Sequence, residues 1–79
     1  IVIRTFGNEA FYMRDLPMHP SQKEISHTDE YSDFELTISP TGDFYTPLLA
    51  RGGAIKVLEP QWLADVIRDF HLMAAERYK

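Results

Sequence analysis

The residues able to do chemistry fall into four small groups. His19 and His27, with Asp29 or Glu30, are of metal-ligand type. Zinc needs several convergent donors, whereas these lie in loops and no ligand pair is spaced along a helix. The stretch 27–33 therefore reads as a solvated hairpin turn, and no metal is assigned. Ser21 stands two residues after His19, but no nucleophile elbow surrounds it. This pair reads as a local tie that pins an exposed loop. Gly52-Gly53 is too short to cradle a phosphate and does not open a helix, so it reads as a helix stop. No catalytic residue and no cofactor follow from these groups.

The fourth group is cationic: Arg4, Arg14, Arg51 and Lys56. Successive side chains of a strand point to opposite faces. If Ile1 and Ile3 turn to the core, Arg4 and Phe6 emerge on the other face. Lys56, between Ile55 and Val57, does the same. Arginine and phenylalanine on neighbouring strands can form a platform that stacks single-stranded bases. Glu35, on the same face, opposes that use. The net charge of −4 argues against unaided grip on a phosphate backbone.

These side chains need elements to position them. Residues 1–6 are apolar and β-branched, a strand pattern. Asn8 is placed to cap a helix over 9–16, with Tyr12 and Leu16 facing the core, and Pro17 stops it. Two hairpin strands are expected over 22–28 and 34–39. The second is marked by Phe34, Leu36 and Ile38 alternating with Glu35, Thr37 and Ser39; the first is polar, as suits an edge strand. A helix over 44–51 turns Leu48 and Leu49 inward and holds Pro47 in its first turn. Gly52-Gly53 ends it, and 54–58 form the next strand. Pro60 then opens a long helix whose inner face carries Leu63, Val66, Ile67, Phe70, Met73, Ala74 and Tyr78. Trp62, Phe70 and Met73 are core types by default. Trp62 widens the apolar arc enough for a second contact, with another domain or subunit. The order predicts an α+β, ferredoxin-like βαββαβ sandwich with an additional C-terminal amphipathic helix, which covers the open sheet face or reaches to another domain.

The chain has 79 residues, 44% of them hydrophobic and 25% charged, and no cysteine. That is one small, marginally stable domain for which a partner surface would help. Disulfide stapling is excluded, and a reducing, cytoplasmic setting is expected. No apolar run approaches the roughly 20 residues of a membrane span. The chain begins at Ile1 rather than Met, which reads as a piece of a longer protein.

Gly53, the strand ending Val57-Leu58-Glu59-Pro60, then Leu63, Ile67 and the terminal Tyr78 carry a family likeness, as does the loop His19-Pro20-Ser21-Gln22. Together they resemble the C-terminal extension, WCX, of WYL-domain helix-turn-helix transcriptional regulators. The likeness covers essentially the whole chain as extension only; the Trp-Tyr-Leu motif and any helix-turn-helix are absent from it. It implies a single C-terminal regulatory domain over residues 1–79 that is non-enzymatic, senses an effector and dimerises. The implied partners are a WYL domain and winged helix-turn-helix in the same full-length chain, a second copy in a homodimer, and single-stranded nucleic acid or a small-molecule effector; no membrane is implied. The residues expected at the ligand are Arg4, Phe6, His19, Gln22, Arg51 and Lys56. Those expected at the dimer or domain contact are Trp62, Phe70 and Met73. A free-standing small-ligand-binding domain of the amino-acid-sensing βαββαβ type is the competing reading.

Overall fold

The computed structural model describes all residues, Ile1–Lys79. Its elements are β1 (Val2–Phe6), α1 (Glu9–Asp15), β2 (Lys23–His27), β3 (Tyr31–Glu35), α2 (Gly42–Ala50), β4 (Ile55–Glu59) and α3 (Gln61–Arg77), with a single 3-10 turn at Gly52–Ala54. The strands form one four-stranded antiparallel sheet in the order β2-β3-β1-β4. No helix is long and apolar enough to cross a membrane.

The alternation of β1 sets the two faces. Ile3 and Thr5 are buried, while Arg4 and Phe6 are not. Phe34 on β3, Ile55 and Val57 on β4, Ala10 and Met13 on α1, Phe44 and Leu48 on α2, and Leu63 and Ile67 on α3 complete the core with Leu36. All helices contribute to this one cluster. α3 packs on β4 and α2, so it flanks the sheet edge and leaves the open face uncovered.

Several boundaries and faces differ from the sequence expectation. β3 begins at Tyr31 rather than at residue 34, which shortens the hairpin link to Thr28-Asp29-Glu30. The Thr28 hydroxyl closes that turn by accepting the N–H groups of Glu30 and Tyr31. α1 turns Ala10 and Met13 inward, while Tyr12 and Leu16 are exposed. The side chain of Asn8 makes no cap bond; its carbonyl accepts the Phe11 N–H instead. α2 starts at Gly42, so Pro47 lies in its second turn rather than its first. Pro60 precedes α3, and its carbonyl accepts the N–H groups of Leu63 and Ala64. The helix stop at Gly52 is as read, with φ +56° in the left-handed region that glycine enters cheaply.

α3 buries a narrower stripe than its pattern suggests. Leu63 and Ile67 are buried, but Trp62, Phe70 and Met73 are 51%, 40% and 52% exposed, and Tyr78 is 92% exposed. A helix lying along a sheet edge meets the core through one line of side chains only, so the flanks of its apolar arc stay in water. Phe70 packs on Tyr45 of α2, ring centroids 6.3 Å apart. Leu63→Ala is therefore expected to destabilise the fold by about 2–5 kcal/mol, and Phe70→Ala by only about 1 kcal/mol. Urea denaturation measures both. Equal losses would mean that α3 buries a wider face.

Candidate functional site

The uncovered sheet face is the first candidate surface. Strand register aligns Ser26, Asp33, Arg4 and Lys56 in one row across β2, β3, β1 and β4, with Phe6 opposite Tyr31 in a neighbouring position. The guanidinium of Arg4 donates to both Asp33 oxygens, Nε to Oδ1 at 2.9 Å and Nη2 to Oδ2 at 3.1 Å. The same guanidinium lies 3.7 Å from the Tyr31 ring centroid, a cation–π contact. Ser26 Oγ donates to Asp33 Oδ2 at 3.0 Å. The hydrogen bond from Arg4 holds the Asp33 carboxyl below its usual range, with help from Ser26 and against partial desolvation. The Arg4 guanidinium is correspondingly raised, chiefly by its hydrogen bond to Asp33. Lys56, next in the row, has no ion-pair partner. The face is thus a fixed Arg–Asp–Tyr cluster bordered by a free ammonium and a partly exposed phenyl ring.

The second candidate is an open groove of about 620 Å³ between β4 and α3. Its walls combine apolar side chains, Val57, Leu58 and Ala64 among them, with Lys56, His71 and the Arg68–Asp65 ion pair, 3.4 Å apart. The volume is in the range of small-ligand clefts.

The model of the WCX domain matches residues 1–70. The chain belongs to the WCX domain family. This bears out the likeness to the C-terminal extension of WYL-type regulators. No curated protein and no solved structure matches the chain.

The remaining expected ligand residues of this WCX domain do not converge with Arg4, Phe6 and Lys56. His19 and Gln22 sit in the loop between α1 and β2. The His19 Nδ1 accepts the Ser21 N–H at 3.1 Å and contacts Ser21 Oγ at 2.7 Å, while Ser21 Oγ accepts the Thr37 N–H at 2.9 Å. Gln22 Oε1 accepts the Met18 N–H, and its Nε2 donates to the Met13 carbonyl at 2.7 Å. That second bond satisfies one of the carbonyls that a helix end leaves unpaired. The family-like loop is therefore a stitch between α1, the loop and the chain after β3. Arg51 lies on the helical side, where its Nε is 3.4 Å from the buried Glu9 carboxylate and its guanidinium lies over Tyr12. Arg14 is held by Glu24, Nη2 to Oε2 at 2.7 Å, and by Ser32. That pairing holds the Glu24 carboxyl below its usual range. His27 bonds Ser32 Oγ rather than Asp29 or Glu30. Trp62, Phe70 and Met73 lie on α3, away from all of these.

Tyr31 and Asp33 are the residues of the open face that sequence reasoning missed, because both were placed in a turn. Their signal is an alternation, Tyr31, Asp33 and Glu35 against Ser32, Phe34 and Leu36. Asp33 gives a pH test. Its carboxyl is depressed in the folded state, so the stability it contributes is present above the unfolded value of about 3.9 and is lost as pH falls through the folded value. Asp33→Asn is expected to lower the melting temperature at neutral pH, and the difference from the parent should shrink in the acid range below about pH 4. A difference constant from pH 2 to pH 7 would remove the ion pair from the account of stability.

Proposed function

We propose that this chain is the C-terminal regulatory module, residues 1–79, of a longer bacterial WYL-type transcriptional regulator. The observation that carries this reading is the WCX match over residues 1–70. In the full-length, cytoplasmic protein its partners are a winged helix-turn-helix and a WYL domain, and the module itself is non-enzymatic. The strand order β2-β3-β1-β4 with α1 and α2 as crossovers supports a ferredoxin-like description of its first six elements. Sequencing the intact coding region tests the assignment. A helix-turn-helix and a WYL domain upstream are expected, and a catalytic domain there would overturn it.

The module's work on this reading is effector sensing and self-association. For sensing, the open sheet face offers Phe6 for stacking and Lys56 for a phosphate, with Arg4 already committed to Asp33 and so a scaffold for the face. A single-stranded nucleic acid is the effector this face suits best. In the full-length protein, Phe6→Ala should weaken binding of a short single-stranded oligonucleotide by about tenfold. Lys56→Ala should reduce the salt dependence of binding by about one phosphate contact. Unchanged affinity and salt slope in both variants would remove the stacking platform. Thermal stabilisation of the chain by free amino acids and none by oligonucleotides would instead favour the amino-acid-sensing reading.

For self-association, the half-exposed line Trp62, Phe70 and Met73 on α3 supports a helix-to-helix contact with a second copy. Met73→Glu lies outside the core and should shift the protein from dimer to monomer in sedimentation equilibrium, with the melting temperature losing its dependence on protein concentration. A dimer unchanged by Met73→Glu and by Trp62→Ala would place the contact elsewhere.

A further inference from the structure

The groove beside β4 is lined by the consecutive residues Ile55, Lys56, Val57 and Leu58. Consecutive residues of a strand point to opposite faces, so a groove touching all of them runs along the strand's backbone edge. β4 pairs with β1 alone, and its other edge is free.

At the start of β1, the Ile1 amine donates to the Leu36 carbonyl at 3.0 Å, and the Ile1 carbonyl accepts the Leu36 N–H at 2.8 Å. Ile1 therefore faces the β3 side. Alternation along β1 then turns Ile3 and Thr5 toward β3 and Arg4 toward β4. Arg4 is opposite Lys56, so the backbone groups of Lys56 point at β1. Those of Ile55 and Val57 point the other way, into the groove. The 3-10 turn Gly52–Ala54 runs directly into Ile55, and its i→i+3 bonding draws the Ile55 N–H back toward Gly52. The Ile55 carbonyl and both backbone groups of Val57 are left on the open edge, where no loop or side-chain bond reaches them. On the α3 wall of the same groove, His71 Nε2 is buried and also lacks a partner.

The Ile55 carbonyl with the N–H and carbonyl of Val57 forms a template for adding a strand. Side-chain chemistry narrows the occupant. In such a pairing Lys56 occupies the site between the hydrogen-bonded pairs, where facing Cα atoms come within about 4.5 Å. A second copy of β4 docked by a twofold axis at this point would set two Lys56 ammoniums face to face, a destabilising arrangement. Lys56 has no counter-ion within the chain. A carboxylate opposite it completes the pair. The neighbours of that carboxylate share the face of Ile55 and Val57, where α3 presents Ala64 and Ile67, so they are apolar.

We infer that the free edge of β4 docks an extended segment of a partner protein in which one acidic residue stands between two apolar ones. The main-chain bonds to Ile55 and Val57 provide the affinity, and the pairing with Lys56 fixes the register.

The test is amide hydrogen exchange of the full chain with capped strand peptides, one centred on Val-Glu-Val and one on Val-Lys-Val. The glutamate peptide is expected to slow exchange at Val57 saturably, and the lysine peptide to bind about tenfold more weakly. Lys56→Glu, an exposed position, should reverse that order. The glutamate peptide N-methylated at alternate residues keeps its charge but should lose protection. Several results would overturn the inference: no protection by either peptide, equal protection that Lys56→Glu leaves unchanged, or protection that survives N-methylation. Protection that rises with protein concentration in the absence of peptide would also overturn it, by assigning the edge to a second copy.

Discussion

Arg4 sits at the middle of the central strand pair, and the rest of the architecture depends on how its side chain is held. β1 is bonded on both edges, to β3 and to β4, so it cannot rotate to bury or expose a different face. With Ile3 and Thr5 in the core, Arg4 must stand on the open face beside Asp33. A carboxylate there, mostly shielded from water, is costly alone. Bidentate pairing, the Ser26 hydroxyl and the stack on Tyr31 offset that cost. One layer of helices can cover only one face of the sheet in a chain this short. The Arg–Asp–Tyr cluster is what lets the other face remain open to solvent without an apolar patch at its centre.

That constraint also explains which parts of the fold were legible. β1 and β4 alternate cleanly, and the faces of Arg4, Phe6 and Lys56 could be read from Ile3, Ile55 and Val57 alone. The order of elements was legible for the same reason, with Gly52 and Pro60 as punctuation. β3 was displaced because Ser32 and Asp33 are types that usually mark turns, which hid the strand preference of Tyr31 before them. They are tolerated in a central strand because each finds a partner: Tyr31 under Arg4, Asp33 with Arg4 and Ser26, and Ser32 with Thr5 and His27 across the sheet and with Arg14 of α1. A long-range satisfaction of polar groups leaves no local pattern to read. α1 failed differently. At seven residues it is too short for a period to be unambiguous, and Ala10 with Met13 competes with Tyr12 with Leu16 on spacing alone.

The loop 19–22 separates family likeness from ligand contact. Its residues looked like candidates for binding because they are polar and carry the likeness. Their polar atoms are instead turned onto the chain itself, closing the α1 end and anchoring Thr37. The segment joins α1 to an edge strand without apolar support, and β2 is exposed along its whole length. Hydrogen bonds therefore fix the path of the chain where hydrophobic packing cannot.

The two sheet edges are handled in opposite ways. β2 is polar apart from Ile25 and carries a register irregularity between Glu24 and Ser26, features that discourage further pairing. β4 has its own irregularity only at its far end, where Val2 and Ile3 meet it. Its first residues run straight, with Ile55 and Val57 buried and the Ile55 carbonyl and Val57 backbone groups open to a groove. α3 lies close enough to wall that groove but leaves the edge itself unpaired. An edge left in water by neglect would lack a wall, and an edge meant to stay closed would carry the bulge early, as β2 does. The placement of α3 beside rather than across the sheet produces both the open face and the walled edge. The position of this last helix therefore decides which surfaces of the sheet stay uncovered.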